Sequence, residues 1–209
     1  MSLTLLELTD GDLIQQIRHH PGKASGAFRQ LLTRYQTPVY HYIYRLCREE
    51  SWAAELTQDV FLQCYRKLDL FDEHRTFKPW LFRIATNITL SALRKQRPTV
   101  SLSALQEEPT WKEPVSLIQE DHASTVDQKM QNQETIEVIQ QALSQLDPKY
   151  RSVLLLRYNE DFSYEEMAES LKVPLNTVRT WLKRAREALK KSVNKAGLIS
   201  LSLECQENI

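Results

Sequence analysis

Along most of the chain apolar residues recur at spacings of three and four, the signature of helices buried on one side. Leu13, Ile14 and Ile17 mark a short helix starting at Asp10 or Asp12 and broken by His19-His20-Pro21-Gly22. Phe28, Leu31, Leu32, Tyr35, Val39, Tyr42, Ile43 and Leu46 mark a long second helix, in which Pro38 is expected to kink the chain or begin a new turn. Ser51-Trp52 reads as the cap and start of a third, carrying Leu56, Val60, Phe61 and Tyr65 and ending near Leu68. Residues 69–78 read as a short polar loop. Pro79 suits the first turn of a fourth helix, with Trp80, Leu81, Ile84 and Ile88 inward.

Neither period survives from 98 to about 128, where Pro98, Pro109 and Pro114 lie among scattered Ser and Thr. This stretch reads as a flexible linker. Order resumes near Met130, with Ile136, Ile139, Leu143 and Leu146 at helical spacing. Asp147-Pro148 suits a helix cap followed by proline at the first helical position. "SYEE", 163–166, is a capping box: Ser at the cap, Glu three residues on. "KVP" then turns the chain into a last helix. Two short helices joined by a tight turn, the second one basic, form a helix-turn-helix pattern. The expectation is an all-α protein with two small helical domains, 1–97 and 130–196, joined by the linker 98–129 and followed by a tail, 197–209.

Composition supports this and adds an organisation. Four glycines and eight prolines are few for a sheet-rich chain. The formal net charge is zero, which by itself argues against a nucleic-acid binder. Its distribution argues otherwise. Residues 78–97 carry Lys78, Arg83, Arg94, Lys95 and Arg97 and no acid. Residues 98–134 carry Glu107, Glu108, Glu113, Glu120, Asp121, Asp127 and Glu134 against Lys112 and Lys129. Residues 171–195 are basic again, with Glu187 the one acid. Cys47, Cys64 and Cys205 form no CxxC and suggest reduced thiols in a cytoplasmic protein. No signal peptide or membrane span is expected.

On the last helix Val178, Leu182, Ala185 and Leu189 fall on one stripe, with Trp181 at its margin. Arg179, Lys183, Arg186 and Lys190 form an adjacent stripe, Asn176, Thr180, Arg184 and Lys191 lie on the outer side, and Thr177 joins them as a candidate DNA contact. In a helix-turn-helix the first residues of the second helix meet base edges and later ones meet phosphates. Asn176, Arg179, Thr180 and Lys183 are therefore base-edge candidates; Arg184, Arg186 and Lys190 are phosphate candidates. On the fourth helix Arg83, Asn87, Ser91 and Arg94 share a face opposite Trp80, Ile84 and Ile88. Phe71, Phe77 and Trp80 nearby are either core residues or platforms for unstacked bases. No enzyme constellation, metal-ligand spacing or phosphate loop is present, so no catalytic residue, metal or cofactor is expected.

Two blocks carry a further signal. "ELTQDVFLQCYRKLDLF", 55–71, followed by "FKPWLFRIATNITLSALRK", 77–95, resembles the second conserved region of bacterial sigma factors. "LDPKYRSVLLLRYNEDFSYEEMAESLKVPLNTVRTWLKRAREALKK", 146–191, resembles their fourth region. Without a well-formed middle domain, the layout is similar to the extracytoplasmic-function group. The resemblance implies an alternative sigma factor, not an enzyme, with core RNA polymerase, promoter DNA and an anti-sigma protein as partners. It implies polymerase docking by Glu55, Gln58, Asp59 and Phe61. It implies minus-ten reading and strand melting by Asp72, Arg75, Lys78, Arg83, Asn87 and Arg94. Minus-thirty-five reading falls to the basic face of the last helix, and the acidic linker threads past the polymerase cleft.

The chain departs from the family pattern at Ala54, at Ser91, at Thr180-Trp181 and at Lys172, where glycine is frequent. These departures bear on which promoter is read. On the residues alone an autonomous helix-turn-helix regulator with an N-terminal sensing or dimerisation domain stays open, as does a helical adaptor that touches no DNA.

Overall fold

The computed structural model describes residues 8–96 and 138–195, and every regular element among them is helical. α1 spans Asp10–His19 and α2 spans Pro21–Cys47, with His20 at the break. Thr9 caps α1 reciprocally: its hydroxyl accepts from the Asp12 amide, and the Asp12 carboxylate accepts from the Thr9 amide at 2.9 Å. α2 continues through Pro38 rather than restarting there. Leu31 before the proline and Val39, Tyr42 and Ile43 after it are buried in one core, and that packing outweighs one missing donor.

α3 spans Glu50–Lys67 and runs into a 3-10 turn, Leu68–Leu70. Its cap is Glu49, not Ser51. The Glu49 carboxylate accepts from the amides of Ser51 and Trp52 at 3.0 and 2.9 Å, which leaves Ser51 inside the helix. α4 spans Phe77–Gln96, so Lys78 is helical and the loop is shorter than the polarity pattern suggests.

In the second half α5 comprises helical residues 138–144. α6 spans Pro148–Tyr158, α7 Tyr164–Leu171 and α8 Leu175–Lys195. Asp147 caps α6 through the Lys149 amide with Pro148 in the first turn, and Ser163 and Glu166 form the expected capping box of α7. Lys172 ends α7 in the left-handed region at φ 53°, ψ 44°. A side chain there is strained where glycine is not. Lys172→Gly is therefore expected to stabilise the protein by up to about 1 kcal/mol, read as a higher urea midpoint. The expected linker and tail lie outside the described residues.

The two halves dock. α7 lies across α4, and α6 packs on the end of α2. Phe162 meets Phe82 edge-on at 5.4 Å, Phe82 meets Tyr42 at 5.2 Å, and the Tyr42 and Thr86 hydroxyls share a 2.7 Å hydrogen bond beneath them. The Ser170 hydroxyl donates to the Pro79 carbonyl at 3.0 Å. Arg48 donates across to the Gln140 carbonyl at 2.9 Å. Arg151 on α6, buried to 7% exposure, donates to the carbonyls of Leu143, Ser144 and Leu146 in its own half and of Leu46 in the other. Burial, and secondarily Arg48, lowers its pKa to about 10, which leaves it charged at neutral pH.

Candidate nucleic-acid interface

The apolar stripe of α8 is the part that holds it. Val178, Leu182 and Ala185 are fully buried, Val193 nearly so, and Leu189 packs against the same core. That anchoring leaves Asn176, Arg179, Thr180, Lys183, Arg184 and Lys190 exposed on the opposite side, while Thr177 and Arg186 are half-buried. The Thr180 hydroxyl donates to the Asn176 carbonyl at 2.8 Å, one turn back, which fixes its rotamer. Arg186 Nε is buried without a hydrogen-bond partner. Trp181 packs on the core, so of the divergent Thr180-Trp181 pair only Thr180 faces outward.

The second basic face lies on α4. Asn87, Ser91 and Arg94 are exposed and Arg83 is half-buried, above Ile84 and Ile88. The neighbouring aromatics are core. Phe71 and Phe77 are buried and Trp80 half-buried, their rings 5.1–5.7 Å apart, with Tyr35 edge-on to Phe77 at 5.4 Å. Phe71 and Phe77 are thus core residues, while Trp80 packs on them and keeps part of its ring exposed.

The loop after the 3-10 turn is folded by its own residues. Asp72 accepts from the His74 amide at 3.1 Å through its side chain and from the Arg75 amide at 3.0 Å through its carbonyl. Its carboxylate also lies 3.3 Å from the Arg75 guanidinium. Two cations of this region meet acids of the other half. Arg75 pairs with Glu169 of α7 at 3.0 Å. Lys78 lies 3.3 Å from the Glu160 carboxylate and donates to its carbonyl at 2.9 Å, with its ammonium 5.2 Å from the centre of the Phe162 ring. Burial raises the Glu160 pKa, with Lys78 pulling it back. From α1, Arg18 pairs with Glu73 at 2.6 Å and Gln15 donates to Glu73 at 3.2 Å. These bonds, Gln15's foremost, hold the Glu73 carboxyl below its ordinary pKa. Neither the acidic partners nor Arg18 was visible in the sequence. They join residues fifty or more positions apart, and no local spacing marks them.

On α3 the expected docking residues divide. Glu55, Gln58 and Asp59 are exposed, whereas Phe61 is 7% exposed and belongs to the core. Phe61 and Gln58 line an open groove of about 470 Å³ between α2 and α3, with Leu32, Gln36, Tyr40 and His41 on its far wall. Among the described residues no helix is long and apolar enough to cross a membrane, and no three acidic, His or Cys side chains gather as a metal site.

Two basic helical faces on one chain, one of them on a helix-turn-helix, are the features of a DNA-binding protein. Residues 31–99 match the Sigma-70 region 2 family and residues 136–189 match Sigma-70, region 4. The ECF RNA polymerase sigma factor SigW of Bacillus subtilis is 34% identical over 80% of this chain and 89% of its own length. The ECF RNA polymerase sigma-E factor of Escherichia coli is 30% identical over 90% and 95%. The chain belongs to the extracytoplasmic-function RNA polymerase sigma factors, the initiation factors that direct promoter-specific transcription. An autonomous helix-turn-helix regulator would account for the region 4 match and leave the region 2 match without a role. Among solved structures the fold resembles CnrH, seen in complex with the cytosolic domain of CnrY, with a TM-score of 0.62 at 22% identity over 89% of this chain and 97% of that one. It also resembles the sigma factor RpoE of Bartonella quintana, seen with the anti-sigma factor NepR, with a TM-score of 0.58 at 22% identity over 80% and 96%.

Proposed function

We propose that this factor docks on core RNA polymerase through α3 and the groove beside it, reads duplex minus-thirty-five DNA with α8, and holds the melted minus-ten strand with the 71–76 loop and α4. Glu55 and Asp59 give the docking face its charge, which steers a basic partner and sets register more than it adds affinity. Arg179 and Lys183 supply donors for base edges, and Arg184 and Lys190 reach for phosphate. Asn87, Arg83 and Arg94 face the single strand. The protein works in the cytoplasm, performs no chemistry of its own, and is held by an anti-sigma protein until a signal releases it. The observation that carries this reading is the pair of separately anchored basic faces, on α4 and on α8.

Reading both elements at once requires the halves to part. About 25 base pairs span roughly 85 Å at 3.4 Å per step. A compact chain of 209 residues has a radius of gyration of only about 17 Å. Residues 97–137 have a contour length of at most roughly 140 Å, enough for the separation. Parting frees Arg75 and Lys78 from Glu169 and Glu160, and phosphates take the place of those carboxylates. The exchange is cheap at Arg75, since an ion pair this exposed contributes little. It costs more at Lys78, whose partner is buried to 9% side-chain exposure.

Mobility-shift assays with and without core polymerase test the reading. Tight, sequence-specific binding to an asymmetric promoter fragment is expected only with core enzyme. Equally tight binding by the free protein to a palindromic site would point to a self-sufficient regulator instead.

A further inference from the structure

α1 has no part in the reading so far, yet it is built as a strut. Leu13 and Ile14 are fully buried against the core. Its first turn is tied to α2. Arg34 donates to the Asp10 carboxylate at 2.8 Å and to the Leu8 carbonyl at 2.6 Å, and the Tyr35 hydroxyl donates to the other Asp10 oxygen. Its last turn reaches the loop. Arg18 Nε and Nη2 donate to the Leu68 carbonyl at 3.2 and 2.5 Å, Nη2 donates also to the Phe71 carbonyl, and Nη1 holds Glu73. Gln15, one turn earlier on the same side, holds Glu73 as well. One guanidinium thus bonds the first residue of the 3-10 turn, the residue that caps it and Glu73, the third residue of the 71–76 loop. A planar fork is suited to that task and a lysine ammonium is not.

We propose that Arg18 is a positioning residue for minus-ten base selection: it holds the 71–76 loop in the one shape that receives a base drawn out of the stack. The inference rests on the reading of this loop as the minus-ten reader. Arg18 touches no DNA itself. Arg75 to Glu169, the loop's ion pair to the other half, is lost when the halves part, so on the promoter the loop keeps its own Asp72 bonds and is tied to the rest of the domain by Arg18, with Gln15 beside it. A loop already ordered loses less freedom when it closes on a base, and it discriminates better because a wrong base cannot reshape it.

The test uses holoenzyme assembled from the full chain and core polymerase. The probe is fork-junction DNA whose single-stranded minus-ten segment is randomised. Bound molecules are selected and sequenced. With Arg18→Ala and Arg18→Lys, base enrichment is expected to fall about tenfold at one or two adjacent positions and to hold elsewhere. Glu73→Gln is expected to give a smaller loss at the same positions. A merely structural role would lower the yield of bound DNA while leaving the base profile unchanged. Should Arg18→Ala not fold, Arg18→Lys decides, since it keeps the charge and loses the fork. A wild-type base profile in Arg18→Lys would overturn the proposal. A wild-type holoenzyme without any base preference in the segment would overturn the reading of the loop, and the role of Arg18 with it.

Discussion

Replacing Arg179 and Lys183 together by alanine is expected to lower transcription from a minus-thirty-five-dependent promoter roughly hundredfold, because each base-edge contact proposed for them is worth about 1–3 kcal/mol. The loss is specific to DNA. Both side chains are exposed, and the stripe that holds α8, Val178, Leu182 and Ala185, is untouched. Thermal stability should therefore change by no more than about 0.5 kcal/mol, and assembly with core polymerase should be unaffected. Lys190→Ala, two turns further along, is expected to weaken binding evenly across promoters and to reduce its salt dependence, as loss of a phosphate contact does. Run-off transcription on wild-type and scrambled minus-thirty-five templates checks both. A double variant that transcribes both templates at the wild-type ratio would remove α8 from promoter recognition.

The largest stability effect is expected at Arg151. Its guanidinium serves the carbonyls of Leu46, Leu143, Ser144 and Leu146 at 2.6, 2.9, 2.5 and 3.1 Å. Arg151→Ala leaves these acceptors without their donors in a buried setting, and each such loss costs on the order of 1 kcal/mol or more. The expected cost is about 3 kcal/mol, partly relieved by water entering the gap. In a chain of this size that lowers Tm by roughly 6–12 °C. Arg151→Lys recovers little, because a point charge cannot span acceptors on two elements. Three of the four acceptors lie in Arg151's own half, so most of the loss should persist when the halves are apart. Urea denaturation measures it. A change under about 1 kcal/mol would mean that water replaces the guanidinium freely.

Signals written into neighbouring residues were legible in the sequence. The caps at Asp147-Pro148 and at Ser163 and Glu166 depend on residues within one turn, and the structure has both. The buried stripe of α8 follows from a period alone. The left-handed Lys172 was foreseeable as the residue standing where the turn favours glycine. Competition between local options misled at Ser51, since Glu49 accepts from the Ser51 and Trp52 amides and so starts the helix two residues earlier. Phe61, to which the resemblance gives a docking role, packs its ring into the core and also lines the groove beside α3, a burial that its apolar spacing already implied. What no local pattern could give is the docking of the halves. Glu160 and Glu169 find their partners in the other half, and an acid beside a capping residue looks the same whether it faces water or a lysine.

The central claim, that this chain confers promoter choice on RNA polymerase through two separated DNA contacts, is tested most directly by run-off transcription. Core polymerase and purified protein are combined over a genomic fragment library, and transcript starts are sequenced. Starts are expected at a limited set of asymmetric sites sharing two short sequence elements, one around minus ten and one around minus thirty-five, with none from core enzyme alone. Assembled holoenzyme that yields no promoter-specific start on any fragment would contradict it.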